Sequence, residues 1–381
     1  MPESALFHRA PDLEALIAAI DSSGFTFEPW QIATYVTALR TKPFVILAGV
    51  TGTGKSQLPQ LVSRFTGGAH ELIAVRPDWT DSADVLGFTN LQGVFQPGAV
   101  LRDARRANDN PDRFFACILD EMNLARVEQY FAEVLSFIES RDGTRSFALV
   151  PNSDAEWRDV HLSPNFAIVG TVNMDESSHG FSRKVLDRAF TLELSEIDLR
   201  RWRIEARDEA AEAAWPVSAW LPRARQLGRA TLAADEIRRV ESIIELLVQA
   251  NGYLSEAQLQ IAYRSRDEIA LFVLNANDVA SSFRTRSGEP VDPLDIALHM
   301  KLLPRIIGGS EPVHRALIRL LGWSIGGMPY SDAAAAAEAV QQWAANGRGA
   351  AIRDARFPRT AARLCLMYDR LIAEGSTSFW L

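Results

Sequence analysis

The chain has 381 residues, 47% of them hydrophobic and 23% charged, with a formal net charge of -8. That length predicts two to three domains with cores of ordinary size. The acidic balance excludes a protein that coats nucleic acid by charge alone, so any DNA contact is expected to be local or supplied by a partner.

The expected elements fall into three stretches. Residues 1–42 read as a helical lead-in: Leu13, Leu16, Ile17 and Ile20 recur at helical spacing, SSGF breaks the pattern, and a second amphipathic stretch covers Trp30–Leu39. From Pro43 to residue 195, short apolar runs alternate with helical patterns. PFVILAG, ELIAV, RFFACILDE, NFAIVGTVN and AFTLEL read as strands, and KSQLPQLVSRF and ARVEQYFAEVLSFIES as helices. Pro59 is tolerable in the first of these helices because it lies near the first turn. The alternation predicts an α/β core, a parallel five-stranded sheet between helices. Two stretches interrupt it. Gly87–Ala99 carries glycines and a proline between a short helix and a basic one, and Asp142–His161 suggests a β-hairpin around PNSD. Residues 196–381 are expected to be mostly helical, most clearly over Thr231–Ala250, Ser265–Ala280, Asp292–Ile307 and Ala361–Ala373. A further helix opens at Ala333–Ala337, with Ser331 or Asp332 as its cap. Cys117 lies in an apolar run and reads as a buried side chain in a reducing compartment. No apolar run approaches the ~20 residues that span a bilayer, and MPESALFHRA lacks a signal-peptide layout. The expected location is cytoplasmic, with no membrane partner.

The chemistry begins at Gly49-Val50-Thr51-Gly52-Thr53-Gly54-Lys55-Ser56, which fits G-x-x-x-x-G-K-[ST] between an apolar strand and an amphipathic helix. Glycines let the backbone turn its N–H groups around phosphate oxygens, and the helix start adds its positive dipole end. Lys55 supplies a point charge for the β- and γ-phosphates, and the Ser56 hydroxyl is a ligand for Mg²⁺.

About 65 residues later the apolar strand Phe114–Leu119 ends in Asp120-Glu121. Asp120 suits the Mg²⁺ shell, and Glu121 suits the orientation and deprotonation of an attacking water. Acids at a strand end are often only solvated; the phosphate loop earlier in the same sheet favours the catalytic reading. Asn173 ends the fourth strand, and in a parallel sheet the carboxyl ends face one crevice. There it can hold the water or the γ-phosphate, or simply open a turn. Arg188, in SRKVLDRAF, suits a finger reaching a neighbouring subunit's nucleotide, against a plain ion pair with Asp187. Arg183 and Lys184 are weaker rivals. Arg264 and Arg266 open a helix in the C-terminal region, and either can face the γ-phosphate or solvent.

Taken in order, the loop, the acid pair, the strand-end Asn, the LDR arginine and the helical lid resemble the AAA+ superfamily. Within it the chain looks like the McrB-type NTPases, motor subunits of modification-dependent restriction systems on the dynein-related, MoxR-like branch. The strings that carry this are TALRTKPFVILAGVTGTGKS, VRPDWTDSADVLGF, LDEMNLARVEQYFAEVLSFIE, GTVNMDESSHGFSRKVLDRAF and STSFW. The resemblance implies a homo-oligomeric ring, usually hexameric, with nucleotide between subunits. It implies a McrC-like nuclease partner through which DNA is reached, and hydrolysis of ATP or GTP with Mg²⁺. Residue by residue, it gives Lys55 and Ser56 the phosphate and metal roles and Asp120 and Glu121 the metal and catalytic roles. It makes Asn173 the sensor, Arg188 the finger and Arg264 the lid arginine. MNTAD of the best-known McrB reads VNMDES here, which leaves the base open; Phe27–Ile32 is the expected base-reading segment. About 42 residues precede the core, so target recognition is expected elsewhere or to be absent. The other readings are a MoxR-like ATPase remodelling protein and a nucleotide-gated scaffold with little turnover. Gly87–Ala99 and the hairpin region are candidate pore or partner contacts.

Overall fold

The computed structural model describes residues 12–140, 148–150, 153–174, 179–200, 214–224 and 226–380. They form two compact units, one of residues 1–229 with 275–288, the other of 230–274 with 289–381. Residues 196–200, 214–224, 226–229 and 275–288 thus fall in the first unit, whereas the sequence reading places them in the helical region.

The first unit opens with α1 (Leu13–Ser22), capped by the Asp12 carboxylate, which accepts from the Ala15 N–H at 3.1 Å. Helix α2 (Pro29–Thr41) is buried at every position, so the expected amphipathic stretch is instead a core helix against β1 and β7. Its buried Arg40 pairs with Asp278 at 3.0 Å. That contact, with Asn275 donating to the Thr41 hydroxyl at 2.9 Å, ties the 275–288 segment into this unit.

Next come β1 (Phe44–Gly49), α3 (Gln57–Phe65), β2 (Ala69–Ala74) and α4 (Ala83–Leu86). The glycine- and proline-bearing interruption folds as an antiparallel hairpin, β3 (Gly87–Thr89) and β4 (Phe95–Pro97). Gly87 has φ +110° and lies so close to the returning strand that a Cβ would meet the Gln96 carbonyl oxygen at 2.2 Å. The unit continues through α5 (Ala99–Asp109), β5 (Phe115–Asp120), α6 (Val127–Tyr130), α7 (Ala132–Ser140), β6 (Phe166–Asn173), α8 (Arg183–Leu186) and β7 (Phe190–Glu193). The single helix expected over ARVEQYFAEVLSFIES is interrupted at Phe131. Consecutive rings there are both buried, Phe131 against Phe44 and Tyr130 against Trp79. Of the hairpin expected at Asp142–His161, residues 142–147 and 151–152 lie outside the described residues. The described remainder holds bends and a turn but no strand, with the Leu149 N–H donating to the Val160 carbonyl at 2.8 Å.

The sheet is parallel throughout, in the order β2-β5-β6-β1-β7. β1 is buried along its whole length, as its unbroken apolar run requires for a strand covered on both faces. Parallel register brings the ends of β1, β5 and β6 to one edge: Gly49 pairs with Asn173, and Leu119 with Gly170.

The second unit is helical: α9 (Ala234–Ser255), α10 (Tyr263–Asn277, its last three residues in the first unit), α11 (Pro293–Lys301), α12 (Glu311–Gly326), α13 (Ala333–Ala345) and α14 (Pro358–Glu374). Asp332 proves to be the cap of α13, accepting from the Ala335 N–H at 3.0 Å. Helix α14 packs against α11, α12 and α13. The buried Asp295 of α11 accepts from the first N–H groups of α14, Arg359 at 2.8 Å and Thr360 at 3.0 Å. The C-terminal strand β9 (Thr377–Ser378) pairs with β8 (Ile307–Gly308), so STSFW is tied into this unit.

Candidate nucleotide-hydrolysis site

The carboxyl edge of the sheet opens into a cavity of about 490 Å³. It is lined by the loop residues Thr51–Gln57, by Asp120, Glu121, Thr171 and Asn173, by Gly24–Phe27 and Gln31, and by Leu194 and Glu196–Asp198. The size suits a mononucleotide, and the lining is mostly polar.

The loop's shape follows from its glycines. Gly54 has φ +86°, and a Cβ there would meet the Phe27 ring at 2.8 Å. Only glycine accepts both conditions. Gly49 is equally constrained, since a Cβ would meet the Leu194 carbonyl oxygen at 2.5 Å. Helix α3 begins at Gln57, just past the loop, with the N–H groups of Gln57 and Leu58 returning to the Gly54 carbonyl. Lys55 is buried; its Nζ donates to the carbonyls of Gly49 (3.0 Å) and Val50 (2.7 Å).

At the end of the loop, the Ser56 Oγ donates to Asp120 Oδ1 at 2.6 Å. A hydroxyl and a carboxylate held together are the oxygen donors a hard cation takes, and Mg²⁺ commonly binds through one or two carboxylates plus substrate phosphates. Among the described residues no group of three or more His, Cys, Asp or Glu side chains is placed to hold a metal alone. The donor set therefore fits a Mg²⁺ that arrives with phosphate, supported by Ser56 and Asp120.

Glu121 does not continue the strand. Its backbone is left-handed, φ 53° and ψ 50°, before a 3-10 turn at Met122–Leu124. For a non-glycine residue this costs about 1–3 kcal/mol, and such strain gathers at functional sites. The turn, rather than simple strand alternation, aims Glu121 away from Asp120. The Glu121 carboxylate instead meets Asn173, whose Nδ2 donates to Oε1 at 3.4 Å.

The sequence-picked residues Gly49–Ser56, Asp120, Glu121 and Asn173 thus gather at one sheet edge. Arg188 does not line this cavity; its guanidinium donates to the Lys184 carbonyl at 2.6 Å. Arg264 and Arg266 belong to the second unit, where Arg266 pairs with Asp267 at 2.6 Å and lies over the Tyr263 ring. Three groups of lining residues escaped the sequence reading. Thr171 hides in the apolar run of β6, although it sits two residues before Asn173 and hence on the same strand face. Phe25 stacks on Phe27 at 6.4 Å in the segment taken as a helix break. For the lining segment Glu196–Asp198 the sequence carries no pattern signal.

Residues 44–191 match the family described as AAA domain (dynein-related subfamily), and residues 221–376 match a family described as a domain of unknown function (DUF8727). No curated protein matches the chain. Among the described residues no helix is long and apolar enough to cross a membrane. With its five-stranded parallel sheet and P-loop, the first unit holds an AAA+ P-loop core, and the match over residues 44–191 supports an AAA+ nucleoside-triphosphatase of the dynein-related branch.

Proposed function

We propose that the chain hydrolyses ATP or GTP with Mg²⁺ and works in the cytoplasm as the motor subunit of a McrBC-like restriction or phage-defence system. The observation that carries the hydrolytic part is the convergence of Ser56, Asp120, Glu121 and Asn173 at one end of the sheet. In this reading the loop N–H groups and Lys55 bind the phosphates, with Lys55 Nζ exchanging loop carbonyls for phosphate oxygens. Ser56 and Asp120 hold Mg²⁺, which when bound neutralises charge on the phosphates. Glu121 takes a proton from the attacking water, and Asn173 fixes Glu121 and that water. The Phe25–Phe27 pair and Gln31, which all line the cavity, would meet the base.

The assembly part is supported by Arg188, which lies outside the cavity of its own chain. A finger there completes a neighbour's site in a head-to-tail ring, usually of six copies. The restriction role rests on the similarity to McrB-type proteins, with a McrC-like nuclease subunit reaching the DNA. The test is turnover of ATP against GTP, with and without the product of a neighbouring nuclease gene. Glu121→Gln with unchanged turnover would sink the mechanism. A Lys55→Ala strain that restricts phage or modified DNA as well as the parent would sink the defence role.

A further inference from the structure

Thr171 occupies an unusual hydrogen-bonding position. The backbone N–H of Glu121 donates to Thr171 Oγ1 at 2.9 Å. An N–H can only donate, so the hydroxyl oxygen must accept there, and its single proton is left for another partner. That partner is Asp120 Oδ1, at 2.6 Å. One side chain therefore touches both members of the acid pair: the carboxylate of Asp120 and the backbone of Glu121. It is also buried, 2% exposed, which limits competition from water.

The parallel register places this contact. Leu119 pairs with Gly170, so Asp120 and Thr171 come next along β5 and β6. A hydroxyl now holds the Glu121 N–H at the end of β5. The backbone is thereby released from the extended conformation and turns left-handed at Glu121. The same bond fixes the direction from which Glu121 reaches Asn173.

We infer that Thr171 is the positioning residue of this site: its hydroxyl locks the left-handed turn that aims Glu121 and orients the Asp120 carboxylate beside Ser56. The inference rests on the hydrolytic reading above. Thr171 touches neither base nor phosphate in that reading, so its loss should reduce turnover and leave nucleotide affinity in the absence of Mg²⁺ intact.

The experiment compares the full chain with Thr171→Val and Thr171→Ser. Valine keeps the branched shape and the strand preference but removes the hydroxyl; serine keeps the hydroxyl and removes the methyl. Displaced catalytic groups of this kind cost on the order of 10²-fold. Thr171→Val should accordingly lose about that much kcat, with any rise in KM confined to the Mg²⁺-dependent part of binding. Calorimetry with a non-hydrolysable nucleotide should show unchanged binding without Mg²⁺ and a weakened Mg²⁺-dependent gain, because Asp120 has lost its orienting partner. Thr171→Ser should recover most of the kcat and the Mg²⁺ gain. Parent-like kcat in Thr171→Val, or a Thr171→Ser variant as impaired as it, overturns the inference. Should the valine variant not fold, Thr171→Ser against Thr171→Ala gives the same decision. A parent chain with no turnover of any nucleoside triphosphate would instead defeat the hydrolytic reading itself.

Discussion

Asn173 donates from Nδ2 to Glu121 Oε1 across 3.4 Å, while its own backbone pairs in register with Gly49, the first residue of the phosphate loop. The strand end therefore links the carboxylate that would activate water to the loop that would hold the phosphates. The contact is long for a hydrogen bond, as expected of a catalytic pair that tightens around substrate. Removing this donor by Asn173→Ala should lower kcat by about 10²-fold, in the range of single preorganised donors, with KM little changed. Steady-state turnover checks this; a change confined to KM would make Asn173 a binding residue.

Gly54 gives a sharper test of the loop. Gly54→Ala must place a methyl group 2.8 Å from the Phe27 ring at φ +86°. The left-handed backbone alone costs alanine about 1–2 kcal/mol, and the ring contact adds to it. Nucleotide binding measured by calorimetry should be lost. The double variant with Phe27→Ala removes the clash but keeps the backbone cost, so only part of the affinity should return. Full recovery would show that the loop tolerates a side chain at this φ.

How much of this was legible in the sequence follows from the physics of each element. β1 and β5 were readable because strands covered on both faces must be continuously apolar, and the loop was readable because its glycines sit where only glycine fits. α2 misled: its Thr and Gln side chains imitate a solvated face, yet Gln31, Thr34 and Thr37 are all buried. The hairpin at Gly87–Pro97 was hidden by its short strands, whose Asn90 and Gly93 turn reads only as a breaker. Thr171 was hidden because threonine is an ordinary strand former; its role appears only when Asp120 is seen across the register.

The core also carries a pH dependence. Burial is the main cause that lifts the Asp103 carboxyl to about 6, opposed by the neighbouring Arg106 charge and the Cys117 thiol bond and reinforced by Glu71. A carboxyl that binds its proton more tightly folded than unfolded contributes stability that is present below about pH 4. That stability is lost as pH rises through 6, in all about 3 kcal/mol. Two other groups run the opposite way: buried His299, depressed to about 3, and Glu14, held near 2 first of all by its bond to Arg284. The difference between parent and variant isolates Asp103 from both. Asp103→Asn mimics the protonated form, and the ion pair it gives up is to the half-exposed Arg106. The variant should be more stable than the parent at pH 8, with the advantage disappearing towards pH 4. Denaturant unfolding across that range is the measurement, and a pH-independent difference would exclude Asp103 as the titrating group.

Arg188 makes the proposed ring testable. Its guanidinium lies outside its own chain's cavity and is held by the Lys184 carbonyl in a half-buried position. A finger that acts across a subunit boundary separates two defects that a self-contained site would not. Arg188→Ala keeps the loop and acid pair but fails its neighbour; Lys55→Ala loses its own loop but keeps the finger. Each alone should lower turnover by 10³-fold or so, the scale of an arginine finger or of lost phosphate binding. Mixed in equal amounts and allowed to assemble, intact Lys55 meets intact Arg188 at about a quarter of head-to-tail interfaces. Turnover should then rise well above the sum of the two separate preparations. A mixture no more active than that sum, from subunits shown to co-assemble, would return Arg188 to a role within its own chain.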